Sequence, residues 1–519
     1  MFLLFLKLSS LIYASKLWVF FSVFTLILTI IIYQVREKTL FFNRHPLLSK
    51  ILQIRYIAII YIILNSIFLI ILITAVNIRV DNINSDSRFF KNSIFSPILF
   101  VCKILDVNKP FEWAISFSKF NIYFIHLVCI VYTVLIVEFI DESEYLDELF
   151  FLKLLRTYIL SILALLTENF PIYAVLDIIV VITIISALID NCPDKEAYTA
   201  IRSFIIILIL AYVFIILGLY FLLTSTYFTH FIELNSEVYP STVLFRPCLF
   251  LATGYTIKMS LVPHLNWLNA INEKFSTGLV IYTNTTIIIL SFYPISYYHS
   301  TLMGEDFVFL AFMFIVMGFY HVLPKLQSSV KLTDFISYLY ITKLYLFTIA
   351  LYIGYFNHLH GFIYFVFSYS FSFFMFISVI KLLKLKYNIE TIEDLLKSDV
   401  SMHDLFSKTS VGIIHIFDPV TYFTVLSEIF FSIYYTECYS EEVTLIVLAL
   451  VKMSWYITVM LFYKVIAILK DKEPEGSKKL LSLKGKFRYK VLLIYFFSII
   501  LFTLFFHPSW FYFICGLHK

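Results

Sequence analysis

The chain has 519 residues, 61% of them hydrophobic and 14% charged, with a mean hydropathy of +0.90. Soluble domains keep their apolar share nearer to half, so this composition excludes a soluble globular fold and makes lipid the solvent for much of the surface. A formal charge of only +4, carried by bases scattered through short loops, argues against a nucleic-acid partner, and six cysteines without a CxxC pair argue against zinc, iron–sulfur or disulfide frameworks.

Apolar runs of membrane-crossing length place spans at 11–33, 54–78, 120–140, 149–166, 171–189, 202–224, 243–263, 276–295, 305–323, 334–356, 360–383, 408–433, 441–467 and 489–508. The expected fold class is all-α, a polytopic bundle of about fourteen transmembrane helices. The first span, from Leu11, is too long for a signal peptide and reads as a helix. Residues 79–119 form one long connection, whose apolar piece Ile94–Cys102 either lies in the interface or re-enters the bilayer.

Loops after odd-numbered spans gather bases: Arg36, Lys38, Arg44, Lys50 and Arg55 after the first, Lys381, Lys384 and Lys386 after the eleventh, and Lys478, Lys479, Lys484 and Lys486 after the thirteenth. The positive-inside rule puts all of these on one side, with both termini on the other. The run Asp141-Glu142-Ser143-Glu144 falls on the basic side, but acids weigh little in that rule. The 58 phenylalanines and 37 tyrosines read as lipid-facing bulk and a trace of AT-rich codons, not as a stacking site.

An ionisable side chain inside a bilayer costs several kcal/mol unless it is paired or hydrated, so each one marks a functional candidate. Asp177 interrupts the fifth span, Lys258 the seventh, Glu428 the twelfth and Lys452 the thirteenth, while Arg202 opens the sixth near enough to its end to snorkel. An acid in one span and a lysine in another admit two readings. A pin neutralises the two charges and holds the helices together. A relay exchanges protons, because an opposite charge nearby shifts the proton affinity of each group. Lysine suits the shuttle, since burial brings its proton affinity toward neutrality, whereas arginine stays charged as a fixed bias. His264 is a further relay candidate, or a hydrogen-bonded packing residue.

The stretch Lys258-Met259-Ser260-Leu261-Val262-Pro263-His264-Leu265-Asn266-Trp267 resembles the K-x4-P-x-H-x-W segment of the antiporter-like subunits of respiratory complex I. Lysine, proline and tryptophan keep their spacing; histidine falls one residue early, and Asn269-Ala270 replaces the usual Pro-Asp. Glu196-Ala197 before Arg202-Ser203-Phe204 resembles the family's entry to helix 6. Gln327 to Lys331 with Ser337-Tyr338, Glu393-Asp394-Leu395 with Pro419, and Phe462-Tyr463-Lys464 with Glu473-Pro474 and His507-Pro508 resemble later landmarks in order. The likeness runs from about residue 160 to 510, and before that only the helix count agrees.

This resemblance implies an antiporter-like fold with two inverted five-helix repeats and breaks in helices 7 and 12. It divides the chain into 1–148 (the first three helices and the 79–119 connection), 149–323 (a first half, helices 4–9), 324–467 (a second half, helices 10–13) and 468–519 (a basic loop and the last helix). It implies that Asp177 stands for a glutamate, and Lys258 for a lysine, that meet near mid-membrane as the family's central charge pair, with Arg202, His264 and Glu428 as further relay groups. Counting from Gly278 and Thr283, Thr286 falls where the family carries another lysine.

Among three paralogues, the tail and the K-x4-P spacing resemble subunit 2, called chain N in bacteria, while Glu428 is a subunit 4 trait. The implied function is proton translocation in the membrane arm of NADH:ubiquinone oxidoreductase, beside subunits 4 and 4L in a hetero-oligomer surrounded by lipid. No cofactor or metal is expected in this chain, and no glycine-rich phosphate loop is present. The codon bias and the hydrophobicity, which hinders import, point to the mitochondrial inner membrane and organelle synthesis, with the basic loops facing the matrix. The alternatives are the subunit 4 position, a structural subunit that does not pump, and a stand-alone cation/proton antiporter.

Overall fold

The computed structural model describes residues 56–67, 119–142, 148–167, 169–226, 241–261 and 266–301, together with the run 328–335 and scattered positions between 322 and 394. The helices are α1 (Tyr56–Ile67), α2 (Lys119–Glu142), α3 (Glu148–Leu166), α4 (Phe170–Asp190), α5 (Lys195–Thr226), α6 (Ser241–Lys258), α7 (Asn266–Lys274) and α8 (Thr277–Thr301). No β-strand forms among the described residues; Lys331 and Thr391 meet in an isolated bridge. Helices α3, α4, α5 and α8 are each long and apolar enough to cross a membrane, which makes this a multi-pass membrane protein.

The expected spans at 149–166, 171–189 and 276–295 coincide with α3, α4 and α8 to within a few residues. Helix α5 begins seven residues before the predicted 202, because its first two turns, Lys195 to Ile201, are polar in part and hydropathy marks only the apolar portion. The seventh span is broken, as expected. Helix α6 stops at Lys258 and helix resumes at Asn266, so that α7 carries the chain on to Lys274.

Two compact units are present. Among the described residues, the first takes everything up to Cys192, then Phe214–Leu251 and Tyr282–Pro294; the second takes Pro193–Val213, Ala252–Ile281 and the positions from Ile295 onward. In the first unit, α3 packs against both α2 and α4. The α3–α4 turn is set by Asn169, whose side chain accepts from Ile172 N–H as the α4 N-cap, and by Pro171 in the first turn, where a missing N–H costs nothing. At the other end of the hairpin, Lys153 Nζ donates to Ser186 O at 3.1 Å and forms an ion pair with Asp190. Gly218 lets α5 and α6 touch: a Cβ there would stand 2.6 Å from Leu251 Cγ and 2.9 Å from its backbone nitrogen.

Pro294 inside α8 has no N–H to give to the carbonyl four residues earlier, that of Leu290. The Tyr173 hydroxyl of α4 donates to that same carbonyl, and the Tyr173 and Tyr293 rings lie 5.4 Å apart beside it. A backbone acceptor orphaned within the membrane is thus satisfied by a neighbouring helix.

The second unit carries an ion-pair network. Lys274 pairs with Glu196 at 2.6 Å and Asp194 at 3.8 Å, Lys331 pairs with Glu273 at 2.7 Å, and Lys381 donates to the Glu273 carbonyl at 2.9 Å. Glu196 lies at the start of α5, and Glu273 and Lys274 lie at the end of α7. Four stretches of the chain that are far apart in sequence are thereby tied together within this unit.

Two expectations follow from these contacts. Tyr173→Phe strands the Leu290 carbonyl and should destabilise the protein by about 1–3 kcal/mol in thermal unfolding, the cost of a buried unpaired acceptor. In a Pro294→Ala background, where the helix regains a backbone N–H at that position, the same change should cost clearly less; equal costs would refute the assignment. In the ion-pair network, the hydrogen bond to Glu196 holds Lys274 above the ordinary lysine range, and that to Glu273 does the same for Lys331, each against a smaller opposing pull of burial. A raised lysine stabilises the fold fully below its unfolded value of about 10.4 and loses that contribution as pH rises through the folded value. Amine labelling followed against pH should show Lys274 protected to higher pH than an unpaired lysine, and Glu196→Gln should lower its midpoint.

Candidate functional site

Asp177 sits in the middle of α4 and Lys258 at the last residue of α6, and both are fully buried. Asp177 belongs to the first unit and Lys258 to the second. The Lys258 ammonium lies over two rings, 5.7 Å from the centroid of Tyr212 and 5.9 Å from that of Tyr255. A desolvated cation over an aromatic face gains about 2 kcal/mol. The C-terminal end of α6 adds the negative pole of its helix dipole, which favours a positive charge there.

The end of α6 is closed by backbone geometry. Leu261 N–H donates to Thr256 O at 3.1 Å and Ser260 N–H to Ile257 O at 3.0 Å, the two bonds of a Schellman motif. Its left-handed residue is Ser260, with φ of 69°, where glycine is the usual occupant. A serine in that conformation stores on the order of 1 kcal/mol of strain, and such strain collects at functional sites. It sits two residues from the buried ammonium.

Of the other sequence candidates, Arg202 is exposed on α5, about two turns from the start of that helix. His264 and Glu428 lie outside the described residues, as do Pro419 and Lys452. Glu138, near the end of α2, is 1% exposed and was not singled out by sequence reasoning. Its signal was the one acid within the limits of the third span, Val137-Glu138-Phe139, overshadowed by the acidic run just after it.

The first unit also holds buried hydroxyls. Tyr132 of α2 shares a hydrogen bond of 3.2 Å with Thr286 of α8, and Tyr282 of α8 donates to Thr157 of α3 at 3.0 Å. Thr157 flanks the Tyr132 hydroxyl as well and donates to Leu154 O at 2.9 Å. Next to them Tyr158 meets Ser66 at 2.9 Å, Asn65 at 3.1 Å and Cys129 at 3.7 Å. The Tyr132 ring lies 5.3 Å from that of Tyr158 and 6.3 Å from that of Tyr282, packing the polar tips within aromatic walls. Among the described residues, no group of His, Cys, Asp and Glu is arranged to hold a metal ion.

No family model and no curated protein matches the sequence. Solved structures do. A chain of the Mrp complex from Dietzia sp. DQ12-45-1b superposes with a TM-score of 0.72 at 9% identity, covering 96% of this chain and 96% of that one. A chain of the membrane-bound sulfane sulfur reductase, an archaeal respiratory membrane complex, gives 0.67 at 13% identity over 90% of this chain and 96% of that one. A chain of respiratory complex I from Thermus thermophilus gives 0.65 at 11% identity over 93% and 97%. Identities this low speak for the fold alone. The protein is a multi-pass, all-helical membrane protein with the antiporter-like fold shared by membrane chains of these three complexes.

Proposed function

We propose that this chain is a proton-translocating membrane-arm subunit of mitochondrial NADH:ubiquinone oxidoreductase, in the position of subunit 2. The observation that carries the reading is the burial of Asp177 and Lys258 inside a fold of this type, since charges held in a membrane interior are costly to keep without a role. The segment from Lys258 to Trp267 and the tail spacing favour subunit 2, and the composition bias favours the mitochondrial inner membrane.

The mechanism is electrostatic. A neighbouring subunit moves charge near Lys258; the ammonium loses the surroundings that favour it and releases its proton, then takes another as they return. Each tenfold change in proton affinity corresponds to about 1.4 kcal/mol, and one charge brought close in a poorly solvated interior supplies several times that. Asp177 serves as the acidic partner in this cycle, with Arg202, His264 and Glu428 along the route. No flavin, nicotinamide or iron–sulfur chemistry belongs to this chain, and the electron transfer that drives the cycle takes place in partner subunits, with subunits 4 and 4L as neighbours.

A structural role without pumping is favoured by one observation, a threonine at position 286 where the sequence likeness implies a lysine. Lys258→Met in the intact complex separates these readings. Fewer protons moved per electron, with assembly and electron transfer retained, is the expected result. An unchanged ratio would leave only the structural role, and failure to purify with redox subunits would point instead to a stand-alone antiporter.

A further inference from the structure

Two hydrogen-bonded pairs of hydroxyls, Thr286 with Tyr132 and Tyr282 with Thr157, lie side by side within the first unit. Thr286 bonds Tyr132, Tyr132 is flanked by Thr157, and Thr157 accepts from Tyr282. All four are between 0% and 1% exposed. They come from α2, α3 and α8, and the two ends of the path lie on α8, four residues or about 6 Å apart along its axis. Thr283, fully buried between those ends, has a hydroxyl with no hydrogen-bond partner among the described residues. An orphan donor and acceptor in this place is what a relaying water would satisfy.

We infer that this hydroxyl path is a proton-relay site, which carries protons along α8 without any side chain that is charged at neutral pH. A hydroxyl is both donor and acceptor. When one oxygen receives a proton it passes its own hydrogen to the next, so that only O–H bonds form and break and no oxidant or reductant takes part. Each oxygen ends neutral, with its hydrogen turned the other way. At rest the Thr157 hydroxyl donates to the Lys153 and Leu154 carbonyls, and its hydrogen must rotate toward Tyr132 before a proton can move on. Such a path transmits protons but stores none, so storage falls to charged groups elsewhere in the chain.

The inference deepens the proposed pumping role and rests on it, and isosteric variants in the intact complex distinguish the two. Thr286→Val removes the hydroxyl and keeps the shape, whereas Thr286→Ser keeps the hydroxyl. Thr286→Val is expected to lose proton translocation per electron with electron transfer intact, and Thr286→Ser to retain the native ratio. Tyr132→Phe should reproduce the loss. If Lys258→Met lowers the ratio while Thr286→Val and Tyr132→Phe leave it native, the path is a structural pin and the relay is refuted, with the pumping role intact. If none of the three changes the ratio, the pumping role itself fails. Should Thr286→Val and Tyr132→Phe both fail to assemble where Thr286→Ser assembles normally, the hydroxyls serve packing alone and the relay is again refuted.

Discussion

Hydrocarbon offers no hydrogen bonds, and the interior of this protein is organised by that fact. Every backbone carbonyl, hydroxyl and charge that enters the membrane must find a partner within the protein or lose several kcal/mol. Where Pro294 leaves the Leu290 carbonyl without its helical donor, Tyr173 of another helix supplies one. Where α6 ends, its last carbonyls are taken up by Ser260 and Leu261 at the expense of a strained serine. The buried ammonium of Lys258 is faced by the rings of Tyr212 and Tyr255.

The same constraint gives the buried polar groups their meaning. Burying a tyrosine as part of the apolar packing is cheap; burying its hydroxyl requires a partner, and Tyr132, Tyr158, Tyr282 and Tyr293 each have one. The ion pairs of the second unit that the structure describes are partly exposed instead, where water remains and a single pair contributes little. There the pairs of Lys274 and Lys331 tie the end of α7 to the start of α5 and to the segment at position 331. Among the described residues, the few charges that are buried are candidates for proton handling.

Much of this was legible in the sequence. Hydropathy located α3, α4 and α8, because a span must be both apolar and about twenty residues long, and it identified Asp177 and Lys258 as the charges that violate the pattern. The break after Lys258 was implied by the family likeness. The length of α7 was not, since Asn266 to Lys274 is too polar to register as membrane helix. Nor was the hydroxyl path: threonine, serine and tyrosine hardly disturb hydropathy, and residues 132, 157, 282 and 286 become neighbours only when α2, α3 and α8 pack. Glu138 was obscured by lying near the end of a span, next to acids that belong to the loop.

The proposed pumping role requires the buried Lys258 to change its protonation as the complex turns over. Infrared difference spectra of the intact complex carrying isotope-labelled lysine, recorded with and without turnover, address it directly, the Lys258 band being identified by its loss in Lys258→Met. An ammonium signal from Lys258 that falls and recovers with turnover is the expected result. A Lys258 ammonium that persists unchanged while protons are being moved would contradict it.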